Sequence, residues 1–302
     1  MKEEGDVVLR VLIIGGASWD TIIQMDEFPK GLPQTLFAKE SYSTAGSTGI
    51  GKALALKKLG FDVVFHAVIG EDHEGLKIIE LMEREGIRFL VDYSPNGTEK
   101  HTNLMNSKGE RISIYTNTLP NQMNLNFKRL EEEVNQADII VLNIISYTKA
   151  LIPLLKYSKK EIWVDIHDYD GINPYHKDFI DIADVLFASS ENLTQPMDFM
   201  TDQMESGKKL VILTSGKKGS SLLGVHTGFL REGIVENTVM VDTNGAGDNF
   251  FAGFLYAYSK EYPLQKCLRM GSIVAASSVE SRDIVFSELS DSWLENRFIE
   301  LF

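Results

Sequence analysis

Val8-Leu9-Arg10-Val11-Leu12-Ile13-Ile14 is a nearly continuous apolar run that stops at Gly15-Gly16. A strand buried on both faces of a parallel sheet reads this way, because neither face needs polar residues. Similar runs recur at Val63 to Val68, Ile139 to Leu142, Ile162 to Ile166, Val185 to Phe187 and Leu210 to Leu213. Between most of them lie stretches of helical periodicity: Ile50 to Leu59, Gly75 to Glu85, Phe127 to Val134 and Thr148 to Tyr157. Strand and helix alternating at this rhythm predict an α/β fold, a doubly wound and mainly parallel sheet flanked by helices. Beyond Gly245 the pattern becomes two successive helices broken at Pro263, with a last helical stretch from Trp293 to Leu301.

Two stretches interrupt the rhythm. Thr21 to Tyr42 reads as two short extended pieces around Pro29-Lys30-Gly31-Leu32-Pro33. Lys100 to Thr116 reads as a hairpin that turns at Ser107-Lys108-Gly109. Both could pair into a small β-rich lid made by insertions 19–43 and 98–118. No repeat, linker or low-complexity tract divides the 302 residues, so residues 1–302 read as a single α/β domain carrying that lid.

A formal net charge of −13 repels phosphodiester backbones and argues against nucleic acid as a partner. An anionic substrate would then need a local device to bind it. Cys267 is the only cysteine, which rules out an internal disulfide and fits a reducing cytoplasm. It reads as a packed helix residue. No apolar stretch approaches the ~20 residues that span a membrane, and the first apolar run is too short for a secretion signal.

The segment that carries chemistry is Val241-Asp242-Thr243-Asn244-Gly245-Ala246-Gly247-Asp248-Asn249-Phe250-Phe251. Here a polar, glycine-bearing loop opens into an apolar helical pattern. Glycines let the backbone turn its N–H groups toward one point, and a helix start adds unsatisfied donors with about half a positive charge. Asp248 falls in the first helical turn, placed to take a proton from a hydroxyl beside such an anion hole. The residues alone leave a second reading open, in which the acid merely complements the helix dipole.

The order Asp-Thr-x-Gly-Ala-Gly-Asp resembles the signature of the ribokinase-like (PfkB) carbohydrate kinases, and the resemblance runs along nearly the whole chain. It implies that Asp248 is the base and that Gly245, Ala246 and Gly247 form the anion hole. Gly15 to Asp20 is similar to the family's first strand and its substrate-contacting Asp. Ala45-Gly46-Ser47 through Leu59-Gly60 resembles its glycine motif and following helix. Substrate contacts are thereby implied for Asp20, Gly46, Ser47 and Gly51. Val68-Ile69-Gly70-Glu71-Asp72-His73-Glu74-Gly75 matches a further family stretch. Thr214-Ser215-Gly216-Lys217-Lys218-Gly219 resembles the loop on the nucleotide side, so Thr214, Gly216, Gly219, Asp242 and Thr243 are the nucleotide-binding candidates. The resemblance further implies ATP with Mg²⁺, a small-molecule alcohol substrate, and for many members a homodimer through the lid.

Departures from the family pattern bear on the substrate. Ser47 replaces the second glycine, Gly51 stands at the position of a sugar-contacting Asn, and Ser18 stands where Asn is usual. Ile145 occupies the place of an acid that touches sugar in ribose-type members. The pocket therefore reads as poorer in partners for a polyol, whose buried hydroxyls would go unpaired. A sugar or sugar derivative phosphorylated at a primary hydroxyl is the main expectation. A nucleoside is the alternative, and a ligand-binding homologue without turnover a further one. Trp19 reads equally as a site or a core residue. The Asn-x-x-Glu stretch that organises Mg²⁺ is altered to Ser189-Ser190-Glu191-Asn192, with Glu191 one position away as the candidate ligand. Nothing in Glu280-Ser281-Arg282-Asp283 implies a monovalent cation.

Gly46-Ser47-Thr48-Gly49-Ile50-Gly51-Lys52-Ala53 nearly spells a P-loop, but Ala53 has no hydroxyl for a metal and the residues before it are polar. Lys52 accordingly reads as a solvated helix residue. The histidines, His66, His73, His101, His167, His176 and His226, show no metal-ligand spacing. His167 with Asp165, Asp168 and Asp170 follows a strand end, where ligands gather in open sheets, but reads as solvated loop.

Overall fold

The computed structural model describes residues 8–302 apart from 109, 237, 239, 240 and 242. In chain order its strands are β1 (Arg10–Ile14), β2 (Ser18–Gln24), β3 (Glu40–Gly46), β4 (Asp62–Ile69), β5 (Arg88–Tyr93), β6 (Lys100–Met105), β7 (Arg111–Asn117), β8 (Ile139–Asn143), β9 (Glu161–Asp165), β10 (Val185–Ser189), β11 (Leu210–Thr214), β12 (Ser220–Gly224) and β13 (Gly228–Glu232). Its helices are α1 (Thr48–Lys58), α2 (His73–Arg84), α3 (Phe127–Gln136), α4 (Ile152–Ser158), α5 (Lys177–Ile182), α6 (Pro196–Glu205), α7 (Ala246–Ser259), α8 (Leu264–Val279) and α9 (Asp291–Leu301).

The main sheet has the order β13-β12-β11-β10-β9-β8-β1-β4-β5. It is parallel from β5 to β11 and ends in the antiparallel pair β12 and β13. Alternation along each strand feeds two cores. Val11 and Ile13 of β1 face one core with α1, α2, α7, α8 and α9, whereas Leu12 and Ile14 face the other with α3 to α6. The apolar runs are continuous because helices cover both faces.

The two insertions pair as expected into a second sheet, β3-β2-β6-β7. β2 and β6 run parallel there, and the other two pairs are antiparallel. The strands β5, β12 and β13, which the apolar runs do not announce, complete the main sheet. The residues read as one helix from Thr148 to Tyr157 split into a 3₁₀ turn over Ser146–Leu151 followed by α4, with Pro153 in the first turn. Proline there lacks only an N–H that has no helical partner. Cys267 is buried in α8, as read, and burial pushes its thiol up to about 12. No helix among the described residues is long and apolar enough to cross a membrane.

The order in which strands are added reverses at the middle of the main sheet. From β1 the chain builds outward through β4 and β5 on one side and through β8 to β11 on the other. Such a switch point opens a crevice at the carboxyl ends of the central strands. Gly15 follows β1 there, and Asn143 closes β8 with its Nδ2 donating to the Ile14 carbonyl at 3.1 Å. A side chain at Gly15 would collide with that amide at 2.5 Å, so a glycine is needed for the two strand ends to meet.

Asp72 joins the main sheet to the lid. It caps α2 by accepting from the Gly75 amide at 2.8 Å, and it also accepts from the Thr98 amide at 2.8 Å and the Thr98 hydroxyl at 2.5 Å. Burial pushes its carboxyl up, but these donors outweigh it and hold the acid below the usual range. We predict that Asp72→Ala costs about 2 kcal/mol in urea unfolding at neutral pH, since a cap and a crossover contact are lost together. The deficit relative to wild type should shrink as pH falls through the Asp72 titration, where the wild type loses the same contribution.

Candidate active site

The first turn of α7 lies at the carboxyl edge of the main sheet. Its N-cap, Gly245, is in the left-handed region at φ 78° and has no side chain with which to cap the helix. Gly247 is exposed, and a methyl group built on it would meet nothing within 4 Å. An uncapped helix start with open space before it suits an anion, as the glycine pattern anticipates. α7 is held there by a packed aromatic cluster. Trp163 of β9, fully buried, has Phe251 and Tyr258 of α7 at centroid distances of 5.7 and 5.1 Å, and Phe187 of β10 at 5.8 Å.

Asp248 is 7% exposed. Its Oδ1 pairs with Lys52 Nζ in a very short contact, and its Oδ2 lies against the Gly51 backbone, where a Cβ would approach to 2.7 Å. Gly51 therefore leaves room for the carboxylate itself. Lys52 is not a solvated helix residue: it is 0% exposed, and its ammonium also pairs with Asp165 Oδ2 at 3.1 Å. The reason is that α1 is sandwiched between the sheet and α7, so residues from Gly49 to Leu56 are all buried. Burial pulls the lysine down, but the two carboxylates outweigh it and hold its pKa above the ordinary value. Asp165 is likewise not part of a solvated loop. Burial pushes it up, His167 and Lys52 pull it down, and the balance is a lowered pKa.

Asp20 is buried and faces the lid. Its Oδ1 accepts from the His101 amide at 3.1 Å, and its Oδ2 lies 3.2 Å from His101 Nδ1 and 3.4 Å from Asn103 Nδ2. The other ring nitrogen of His101 meets Glu99 Oε1 at 3.1 Å, and Tyr115 packs on the imidazole at 4.1 Å between centroids. Gly46 lies beside Asp20, so close that any side chain there would strike its Oδ2. Ser47 takes the place of a glycine yet keeps a glycine-like backbone, φ 70° and ψ 152°, a strained conformation that costs about 1–3 kcal/mol. Trp19 packs half-buried against the core with Lys77 over its ring at 5.1 Å. Ser18 Oγ and Asn143 Oδ1 are buried and have no hydrogen-bond partner.

Sequence reasoning gives His101 and Lys52 no site role and does not weigh Glu99. One signal was present for the first: in β6 the inward positions are His101, Asn103 and Met105, so a strand with no polar neighbours expected beneath it turns polar groups inward. The lid strand thus gathers polar groups around Asp20 that the altered glycine motif does not announce.

The loops after β10 and β11 are tied by Ser190 Oγ and Ser215 Oγ at 2.7 Å and by the Ser190 amide donating to the Thr214 carbonyl at 2.8 Å. Gly219 sits at φ 88° against Glu232 and Gly233, and Gly216 at φ 49° lies beside the exposed Glu191 carboxylate. Thr214, Gly216 and Gly219 thus share one turn, with Glu191 next to it. Thr243 and Gly245 precede α7, whereas Asp242 lies outside the described residues. The lid docks on the loop before α7 through Arg111 Nη1 and Asn244 Oδ1 at 2.6 Å, and on the C-terminal region through Arg282 and Glu40 at 2.9 Å. A groove of about 680 Å³ runs behind Ser190, Glu191, Ser215 and Lys218, but neither Asp248 nor Asp20 lines it.

The pfkB family carbohydrate kinase profile matches residues 9–290. The acarbose 7(IV)-phosphotransferase of Actinoplanes sp. is 28% identical over 289 residues, covering 91% of this chain and 92% of that protein. The fold superposes on a microbiome-derived acarbose kinase, Mak1, with a TM-score of 0.87 and 25% identity, over 97% of this chain and 100% of that one. It also superposes on Arabidopsis thaliana ribokinase complexed with ribose and ATP, with a TM-score of 0.79 and 21% identity, over 98% of this chain and 100% of that one.

Burial pulls His101 down, but hydrogen bonds to Asp20 and Glu99 raise it from 6.5 to about 9. A raised folded pKa contributes stability that is complete below the unfolded value and is lost as pH rises through the folded one. We therefore predict that thermal stability falls between pH 6.5 and 9.5 by an amount on the order of 2–3 kcal/mol, and that His101→Gln flattens this slope. A slope unchanged in the variant would assign it to another group.

Proposed function

Since this chain belongs to the pfkB family of carbohydrate kinases, which are phosphotransferases with an alcohol acceptor that use ATP, we propose that it phosphorylates a primary hydroxyl of a sugar or sugar derivative. The observation that carries this reading is Asp248 in the first turn of an uncapped helix, its Oδ2 against Gly51 and the open Gly247 one residue before it. A base and an anion site on one turn serve the two charges that phosphoryl transfer develops.

The acceptor hydroxyl gives its proton to Asp248 Oδ2. Its oxygen bonds to the γ-phosphorus of ATP as the bond to the β,γ-bridging oxygen breaks, and ADP leaves with that electron pair. The amides at the start of α7, around Ala246 and Gly247, stabilise the charge on the migrating group, and their fixed direction avoids reorganisation at the moment of transfer. The turn holding Thr214, Gly216 and Gly219 lines the nucleotide side, together with Thr243. Mg²⁺ when bound neutralises phosphate charge, and Glu191 is the exposed carboxylate beside that turn which would hold it. A sugar is favoured by the polar groups around Asp20: His101 and Asn103 orient the carboxylate, and Ser18 Oγ and Asn143 Oδ1 are further buried polar atoms at the neighbouring strand ends. Gly46, beside Asp20, and Ser47, beside Gly16, would bound the acceptor there.

Asp248→Asn should keep fold and nucleotide binding and lower kcat by about 10²–10⁴-fold in a coupled ADP assay with an accepted sugar. Near wild-type turnover in that variant would remove Asp248 as the base.

A further inference from the structure

We propose that Lys52 is a positioning residue for phosphoryl transfer: its buried ammonium, shared between Asp248 and Asp165, aims the base and keeps every charge paired as the base gains its proton. This rests on the reading of Asp248 as the general base.

The geometry sets three elements around one nitrogen. Lys52 extends from the first turns of α1, Asp165 ends β9, and Asp248 opens α7. Phe251, one turn along α7 from Asp248, presents its ring to the same ammonium at 5.2 Å. Lys52 is 0% exposed and Asp165 is 7% exposed, so neither is a surface pair that solvent could replace. A fully buried ammonium also cannot reach the phosphates of a bound nucleotide without leaving both carboxylates. That separates it from the P-loop lysine its sequence context imitates.

Two consequences follow. First, with Oδ1 of Asp248 held by Lys52, the oxygen left to face a hydroxyl is Oδ2, and Gly51 is the residue small enough to let it stand there. Misplacing a base by an ångström can cost orders of magnitude in rate. Second, the proton transfer turns Asp248 into a neutral acid and removes one counter-charge from Lys52. A lone buried ammonium would then oppose the step, since breaking a buried pair is far costlier than never having made it. Asp165 remains ionised at 3.1 Å and supplies the counter-charge in that state. His167 supports Asp165 in turn, its amide donating to Asp165 Oδ1 at 3.0 Å and its Nδ1 lying 3.5 Å from Oδ2. The second carboxylate thus has a role that a lysine–base pair alone would lack.

The test is steady-state kinetics on Lys52→Met, Lys52→Gln and Asp165→Asn, each with its melting temperature and its affinity for an ATP analogue, beside Asp248→Asn. We expect Lys52→Met to lower kcat by about 100-fold with KM for both substrates within about threefold, the pattern of an interaction used only in the transition state. Asp165→Asn should lose about tenfold in kcat, because the aim of Asp248 survives while its counter-charge does not. A folded Lys52→Met or Lys52→Gln enzyme with kcat within threefold of wild type overturns the proposal, as does a loss that appears only in KM. If neither Lys52 variant folds, Asp165→Asn decides: a loss as deep as that of Asp248→Asn, or none, contradicts the shared-ammonium role. Unimpaired turnover in Asp248→Asn would instead sink the assignment of the base and leave Lys52 a structural residue.

Discussion

One ammonium in the interior holds the site together. Lys52 draws the end of β9, the first turns of α1 and the start of α7 to a common point. Without a cation there, two buried carboxylates would repel each other between the end of β9 and the start of α7. With it, the cluster has one unit of negative charge and a fixed direction. The aromatic packing of Trp163, Phe187 and Phe251 beneath it supplies the rigidity, and Gly51 supplies the clearance. The base is placed by the core itself and not by a mobile loop, which favours precision.

The chain as a whole repels the nucleotide it is proposed to use, since its net charge is −13. Local devices answer that repulsion. The uncapped start of α7 offers backbone donors, Arg111 of the lid bonds to the loop just before it, and Lys217 and Lys218 lie on the turn after β11. On the proposed acceptor side, the four carboxylates of Asp20, Glu99, Asp165 and Asp248 meet His101, Lys52 and His167. Carboxylates outnumber cations there, which under the proposed function would disfavour an already phosphorylated acceptor.

Much of this was legible before any coordinates. Continuous apolar runs ended by glycine reported strands covered on both faces, and the run through Gly245-Ala246-Gly247-Asp248 reported a helix start with an acid in its first turn. Those signals are local, so they survive in one dimension. The weakest parts were those set by neighbours far along the chain. Lys52 looked like any helix lysine, because its burial depends on α7, 196 residues away at Asp248. Asp165 looked like loop for the same reason. β12 and β13 form an edge pair with mixed burial and lack the apolar continuity that marked the central strands. His101 and Glu99 gather with Asp20 only when β2 and β6 pair in parallel, a crossover that no short-range pattern announces.

The most direct test of the account is ³¹P NMR of wild-type protein with ATP and Mg²⁺ across a panel of neutral, aminated and oligomeric sugars and nucleosides. The account predicts a new phosphomonoester signal with one of the sugars, growing in step with ADP and absent when the sugar is omitted. Phosphoryl transfer only to water, or ATP left intact with every acceptor while the folded protein binds it, would contradict the account.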